Sequence, residues 1–189
     1  PRFSPAAQEV AYLSYNNMVP RIFLLDLNSG SQKILGDFPG MTFSPRYSPD
    51  GKKLVFNSDR SGRRHLYVTD IKGKDVKRIS REAGSYFSPV WSPRGDMIAF
   101  TKQQGGQFYI GVMEINGSNE RMIAKSFHVE GPTWSPNGRY LMYFKEERSS
   151  SDGSGGDSSL YSIDLTGYNE RKIITPLGAS DPAWSPLMH

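Results

Sequence analysis

The sequence predicts an all-β fold, a β-propeller of four-stranded antiparallel blades, on three observations. First, the motif Pro-x-aromatic-Ser-Pro stands at Pro1–Pro5, Pro45–Pro49, Pro89–Pro93, Pro132–Pro136 and Pro182–Pro186, with spacings of 44, 44, 43 and 50 residues. A period in the low forties is that of a propeller blade. Second, each period holds several short apolar, β-branched or aromatic runs of strand length, separated by turn residues. Third, the 189 residues include 19 Gly, 13 Pro, 10 Tyr and 10 Phe, a composition that suits short strands joined by tight turns. The predicted repeats are 1–44, 45–88, 89–131 and 132–181, and an extra strand, 182–189, opens a fifth.

The motif itself supplies the first strand of each repeat. A turn follows, clearest at Ser48-Pro-Asp-Gly51, Ser92-Pro-Arg-Gly95 and Ser135-Pro-Asn-Gly138. Proline presets φ at the second turn position and glycine takes the positive φ that follows. Second strands are read at Val10–Ser14, Leu54–Asn57, Met97–Phe100 and Tyr140–Phe144, where near-continuous apolarity implies burial on both faces. Third strands are read at Ile22–Leu27, Leu66–Ile71, Tyr109–Ile115 and Leu160–Leu165, each ending in an acid before Leu or Ile and a glycine turn. Asp26, Asp70, Glu114 and Asp164 are placed to bond the amides of those turns, a structural rather than a chemical duty. The fourth strands, around Lys33–Leu35, Lys77–Ser80, Arg121–Ala124 and Arg171–Thr175, are more polar, as outer edges should be. The tract 149–159, rich in Ser and Gly, accounts for the long fourth spacing and reads as a flexible insertion.

Charge and composition narrow the function. Zero cysteines exclude thiol nucleophiles, disulfides and cysteine-bound zinc. No apolar run approaches the roughly 18 residues of a membrane helix, so no span is expected. The net charge of +4 is concentrated in 45–88, where eleven basic side chains stand against five acidic ones. A solvated blade edge protected by Lys and Arg explains this without nucleic acid, and an anionic surface is the alternative.

Tyr47-Ser-Pro-Asp-Gly51 followed by Lys53-Leu-Val-Phe56, Asn57-Ser-Asp-Arg60 and Leu66-Tyr-Val-Thr-Asp-Ile71 resembles the WD40-like repeat of TolB-type propellers. Gly36-Asp-Phe-Pro-Gly-Met41, Pro89–Asp96, His128-Val-Glu-Gly-Pro-Thr-Trp134, Asp164–Arg171 and Asp181–Leu187 strengthen the resemblance to that family along the whole chain. It implies a six-bladed ring behind an α/β domain, of which this chain would be an incomplete part. It further implies a periplasmic, non-enzymatic scaffold of the Tol–Pal envelope system, serving outer-membrane integrity and cell division. The expected partners are the lipoprotein Pal and other Tol proteins, with colicins exploiting the same channel mouth. No cofactor is implied.

The candidate site is that mouth, formed by the loops 37–44, 81–88, 126–131 and 176–181 that lead from one blade to the next. Met41, Thr42, Phe43 and Ser44 stand where the resemblance places partner contacts. Tyr86, Phe87 and Ser88, and His128, Val129 and Glu130, occupy equivalent places in later repeats. Aromatics and Met there would supply apolar anchors, although Phe43 and Phe87 could equally pack between blades. His128 and Glu130, two apart on an extended segment, project the same way, but no third metal ligand is evident and no catalytic or metal residue is assigned. A Gly-x-Ser-x-Gly elbow is absent, and Gly153–Gly156 lacks the lysine of a phosphate loop. The alternative function is the propeller of a larger hydrolase or of an oligogalacturonate-type lyase, although the lyase needs a histidine-rich metal site and only three histidines exist.

Overall fold

The computed structural model describes residues 1–146 and 156–185. Among the described residues there are sixteen strands and no helix, hence none long and apolar enough to cross a membrane. They form four four-stranded antiparallel sheets, each in plain hairpin order. Blade 1 comprises β1 (Arg2–Phe3), β2 (Glu9–Asn16), β3 (Val19–Asp26) and β4 (Gln32–Ile34). Blade 2 comprises β5 (Thr42–Tyr47), β6 (Lys53–Ser58), β7 (His65–Asp70) and β8 (Lys77–Arg78). Blade 3 comprises β9 (Ser85–Trp91), β10 (Met97–Gln104), β11 (Gln107–Glu114) and β12 (Arg121–Ser126). Blade 4 comprises β13 (His128–Trp134), β14 (Tyr140–Glu146), β15 (Ser158–Asp164) and β16 (Arg171–Ile173). The first strands of successive blades lie side by side, β1 against β5, β5 against β9 and β9 against β13.

The core is three sandwiches between neighbouring blades, which is why the central strands are apolar at nearly every position. Leu54 and Phe56 of β6 face blade 1, among Ala11, Ile22 and Leu24, while Val55 between them faces blade 3. In the same way Ile98 and Phe100 of β10 face blade 2 and Ala99 faces blade 4. Burying a fully enclosed Leu or Phe contributes about 1.5–3 kcal/mol, so each sandwich is strongly cohesive.

The buried serine of each Ser-Pro pair locks the turn after β5, β9 and β13. Ser48 Oγ accepts from Lys53 N at 2.9 Å and donates to Asp50 at 2.6 Å. Ser92 with Asp96 and Met97, and Ser135 with Asn137 and Tyr140, repeat the arrangement. The acids closing the third strands serve their turns. Asp26 Oδ1 accepts from Asn28 N and Ser29 N at 2.9 and 2.8 Å, and Asp70 Oδ1 from Lys72 N and Lys74 N at 3.0 and 2.8 Å. The Ser29 amide, more than any other contact, holds the Asp26 carboxyl below its ordinary range.

Two segments differ from expectation. Of the strand expected over 182–189, residues 182–185 are described and lie in no sheet, because no neighbouring strand is present among the described residues to accept their backbone bonds. Of the insertion expected over 149–159, residues 149–155 lie outside the described residues, whereas Ser158 and Ser159 already belong to β15 and pair with Glu146 and Lys145.

Candidate functional site

The inner strands reach further than the motif that announces them. Thr42–Ser44, Tyr86–Ser88 and His128–Glu130, expected in loops, lie within β5, β9 and β13. A β-bulge joins each of these extensions to the motif, with register shifts between Phe43 and Arg46 and between Glu130 and Thr133, and opposite Ala99 and Thr101 in blade 3. The residue before each motif proline takes the left-handed conformation, at φ 51° for Ser44, 46° for Ser88, 69° for Gly131 and 50° for Asp181. A bulge bends its strand and re-aims the side chains beside it, and Ser44, Ser88 and Gly131 stand at these bulges.

Ser88, Gly131 and Asp181 line a cavity of about 530 Å³ where the inner strands converge. The residue between proline and aromatic in all five motifs, Arg2, Arg46, Val90, Thr133 and Ala183, lines it, together with Ser88, Glu130 and Asp181. The next residue points the other way: Tyr47, Trp91 and Trp134 are buried between blades. Trp91 Nε1 donates to the carbonyl of Arg46 at 3.1 Å, and Trp134 Nε1 to that of Val90 at 3.2 Å. The second, third and fourth motifs therefore stitch their blades to the preceding ones with Tyr47, Trp91 and Trp134, and offer their variable residues to the channel.

The ten candidate residues divide by burial. Thr42, Tyr86 and Val129 are enclosed and support the mouth from beneath. Thr42 Oγ1 accepts from Ile22 N of blade 1 at 3.2 Å. Tyr86 Oη donates to the Glu120 carboxylate, with 2.8 and 2.9 Å to its two oxygens, and burial, reinforced by that acid, pushes the phenol well above its usual range. Met41 is exposed, its N–H donating to Asp59 Oδ1 at 2.7 Å. Phe43 and Phe87, half-buried at equivalent positions of successive blades, flank the guanidinium of Arg64, whose central carbon lies 4.8 and 5.2 Å from the two ring centroids. Ser88 Oγ donates to Glu130 Oε1 at 3.0 Å, bridging blades 3 and 4. His128 lies between two carboxylates, with Nδ1 2.7 Å from Glu146 and Nε2 3.6 Å from Glu130. The edges of Phe108 and Phe144 enclose its ring.

Phe43 and Phe87 thus meet at Arg64, and Ser88, Glu130 and His128 form a polar group across blades 3 and 4, while Met41 lies exposed just before β5. Arg2, Arg46, Phe108 and Glu146 were not singled out from the sequence, and Arg64 figured there only among the basic residues of 45–88. Arg46 could have been found, because strand alternation beside the buried motif aromatic Tyr47 sends its neighbour to the channel. Among the described residues no three His, Asp or Glu side chains are arranged to hold a metal, and His65 lies in a different blade, buried against Ser80.

Comparison with known proteins agrees with this architecture. The profile of the TolB β-propeller domain matches residues 1–56 and 44–188. The Tol-Pal system protein TolB of Pelagibacter ubique is 59% identical over 44 residues, 23% of this chain and 10% of that protein. The crystal structure of TolB from Acinetobacter baumannii superposes with a TM-score of 0.73 at 25% identity, covering 89% of this chain and 41% of that one. A TolB-type protein of Agrobacterium tumefaciens gives 0.67 at 28% identity, covering 72% of this chain and 53% of that one. The chain therefore spans about half or less of the relatives that it matches.

Proposed function

The chain belongs to the TolB β-propeller domain family, and from that premise we propose that it is the binding part of a periplasmic, non-enzymatic scaffold of the Tol–Pal system, receiving the lipoprotein Pal at the channel mouth. The observation that supports the reading is that Phe43 and Phe87 meet at Arg64 while Ser88, Glu130 and His128 meet across blades 3 and 4, on inner strands backed by the inter-blade core. Aromatic and Met anchors ringed by polar groups are the composition of a protein-binding patch, and a preformed rim spares the partner the entropy of ordering it. Through that contact the domain would couple to the other Tol proteins in outer-membrane integrity and cell division, and colicins would compete for the same rim. Titration of the domain with the soluble part of Pal tests the reading. Met41→Ala, Phe87→Ala, His128→Ala and Glu130→Ala should include at least one variant weakened about tenfold, the size of a single interface anchor. Unchanged affinity across all four would remove the site.

A further inference from the structure

We propose that Arg64 is the specificity-determining cation of the mouth, reading a side-chain carboxylate on the partner segment; the inference rests on the partner-binding role proposed above. Arg64 immediately precedes β7. Its carbonyl accepts from Tyr86 N of blade 3 at 2.8 Å, so its backbone is fixed across the blade junction. Its guanidinium is fixed as well, between Phe43 of blade 2 and Phe87 of blade 3. Among the described residues no carboxylate reaches this guanidinium and no acceptor takes its protons.

The two rings contact the cation without neutralising it, and among the described residues its N–H groups make no hydrogen bond. A planar fork presented in this way is suited to a carboxylate, which it can engage with two parallel bonds. One 44-residue repeat later the equivalent position is Phe108, which meets His128 edge-on, so the cation belongs to the junction of blades 2 and 3 and not to the repeat as such. Across the rim, Glu130 and Glu146 bear the opposite charge on either side of His128. A rim of both signs fits a segment carrying an acidic and a basic side chain, which favours a side-chain carboxylate over a chain terminus.

The test is calorimetric titration of the full chain with the soluble domain of Pal at two salt concentrations. Arg64→Met should weaken binding by about 10- to 100-fold, the loss of a charge-assisted bond, and should flatten the salt dependence. Arg64→Lys, which keeps the charge and loses the fork, should fall between. Should Arg64→Met fail to fold, Arg64→Lys and the wild-type salt dependence carry the test. Wild-type affinity in the folded variants, or wild-type binding indifferent to salt, overturns the inference and leaves the proposed function standing. Amidating the C-terminal carboxylate of Pal should change nothing, and lost binding there overturns the side-chain assignment. A wild-type domain that does not bind Pal removes the proposed function and this inference together.

Discussion

Lys102→Met should destabilise the domain by about 3–5 kcal/mol, far more than its count of contacts suggests, and Glu120→Met added to it should restore most of the loss. Lys102 Nζ lies 2.7 Å from Glu120 Oε1, with side chains only 5% and 9% exposed. At that distance and an effective dielectric of about 20 the gross attraction is on the order of 6 kcal/mol. Desolvating two ions costs several kcal/mol each, so the pair nets little, whereas either charge left alone keeps its penalty. In Lys102→Met, Glu120 would retain only the Tyr86 hydroxyl. In the double variant no buried ion remains, and Tyr86 Oη keeps its weaker 3.4 Å contact with the Glu82 carbonyl. Equilibrium urea unfolding, followed by tryptophan fluorescence, gives both values and their coupling. Lys77→Met, at a surface pair whose side chains are 72% and 70% exposed, is the control and should be close to neutral. A Lys102→Met cost below about 1 kcal/mol, or a double variant equal to the sum of the singles, would refute the account.

Two further outcomes follow from the packing. His65 is buried, and burial first, with Arg78 and Arg63 adding to it, holds its pKa below the ordinary histidine value. The unfolded chain therefore binds the proton more readily, so this contribution is complete above about pH 6.5 and is lost as pH falls through that value toward the folded-state pKa; thermal unfolding from pH 7.5 to 5 should show a smaller decline in His65→Gln than in the wild type. Gly117, at φ 84°, turns beneath blade 2 so closely that a Cβ would lie 2.0 Å from the Ile79 carbonyl oxygen. Gly117→Ala must push blade 3 from blade 2 and should cost about 1–3 kcal/mol by the same unfolding assay, and an unchanged midpoint would show that the junction yields freely.

What the sequence made legible was whatever is encoded within one repeat. The turn serines, the glycines that follow them and the acids ending the third strands act on amides two to five residues away, so their roles could be read locally. Near-continuous apolarity in Leu54–Phe56 and Ile98–Phe100 correctly signalled two buried faces. The mouth was harder, because its geometry depends on bulges and on neighbours about 44 residues away. Tyr86 is the instructive case. Placed in a loop, it reads as a partner contact; placed in β9, where Phe87 faces Arg64, alternation sends Tyr86 to the opposite side and into the core. Phe43 and Phe87, for which packing and recognition were equally open, are half-buried, each ring packed on the guanidinium of Arg64. Nothing in local pattern announces Arg64, since its meaning lies in two rings from two different blades.

The segment 181–184 separates what the motif encodes from what the ring supplies. Asp181 adopts φ 50°, like Ser44 and Ser88 before their prolines, and Ala183 lines the channel as the other variable motif residues do. The local Asp-Pro-Ala-Trp sequence therefore suffices to set the left-handed turn before the proline and to aim its neighbour. Pairing does not follow, for residues 182–185 join no sheet. Trp184 shows the consequence: its Nε1 is buried against blade 4 without a partner among the described residues, whereas Trp91 and Trp134 donate to the motif carbonyl of the preceding blade. An unsatisfied buried donor costs about 1–3 kcal/mol, so this indole is held short of the bond that its repeat prescribes. Backbone conformation at the inner strand is thus a property of five residues, and the stitch between blades is a property of two neighbours in place. The inner strands draw on both, because the bulge aims Ser88 and Glu130 while only the docked blades bring Phe43, Arg64 and Phe87 together.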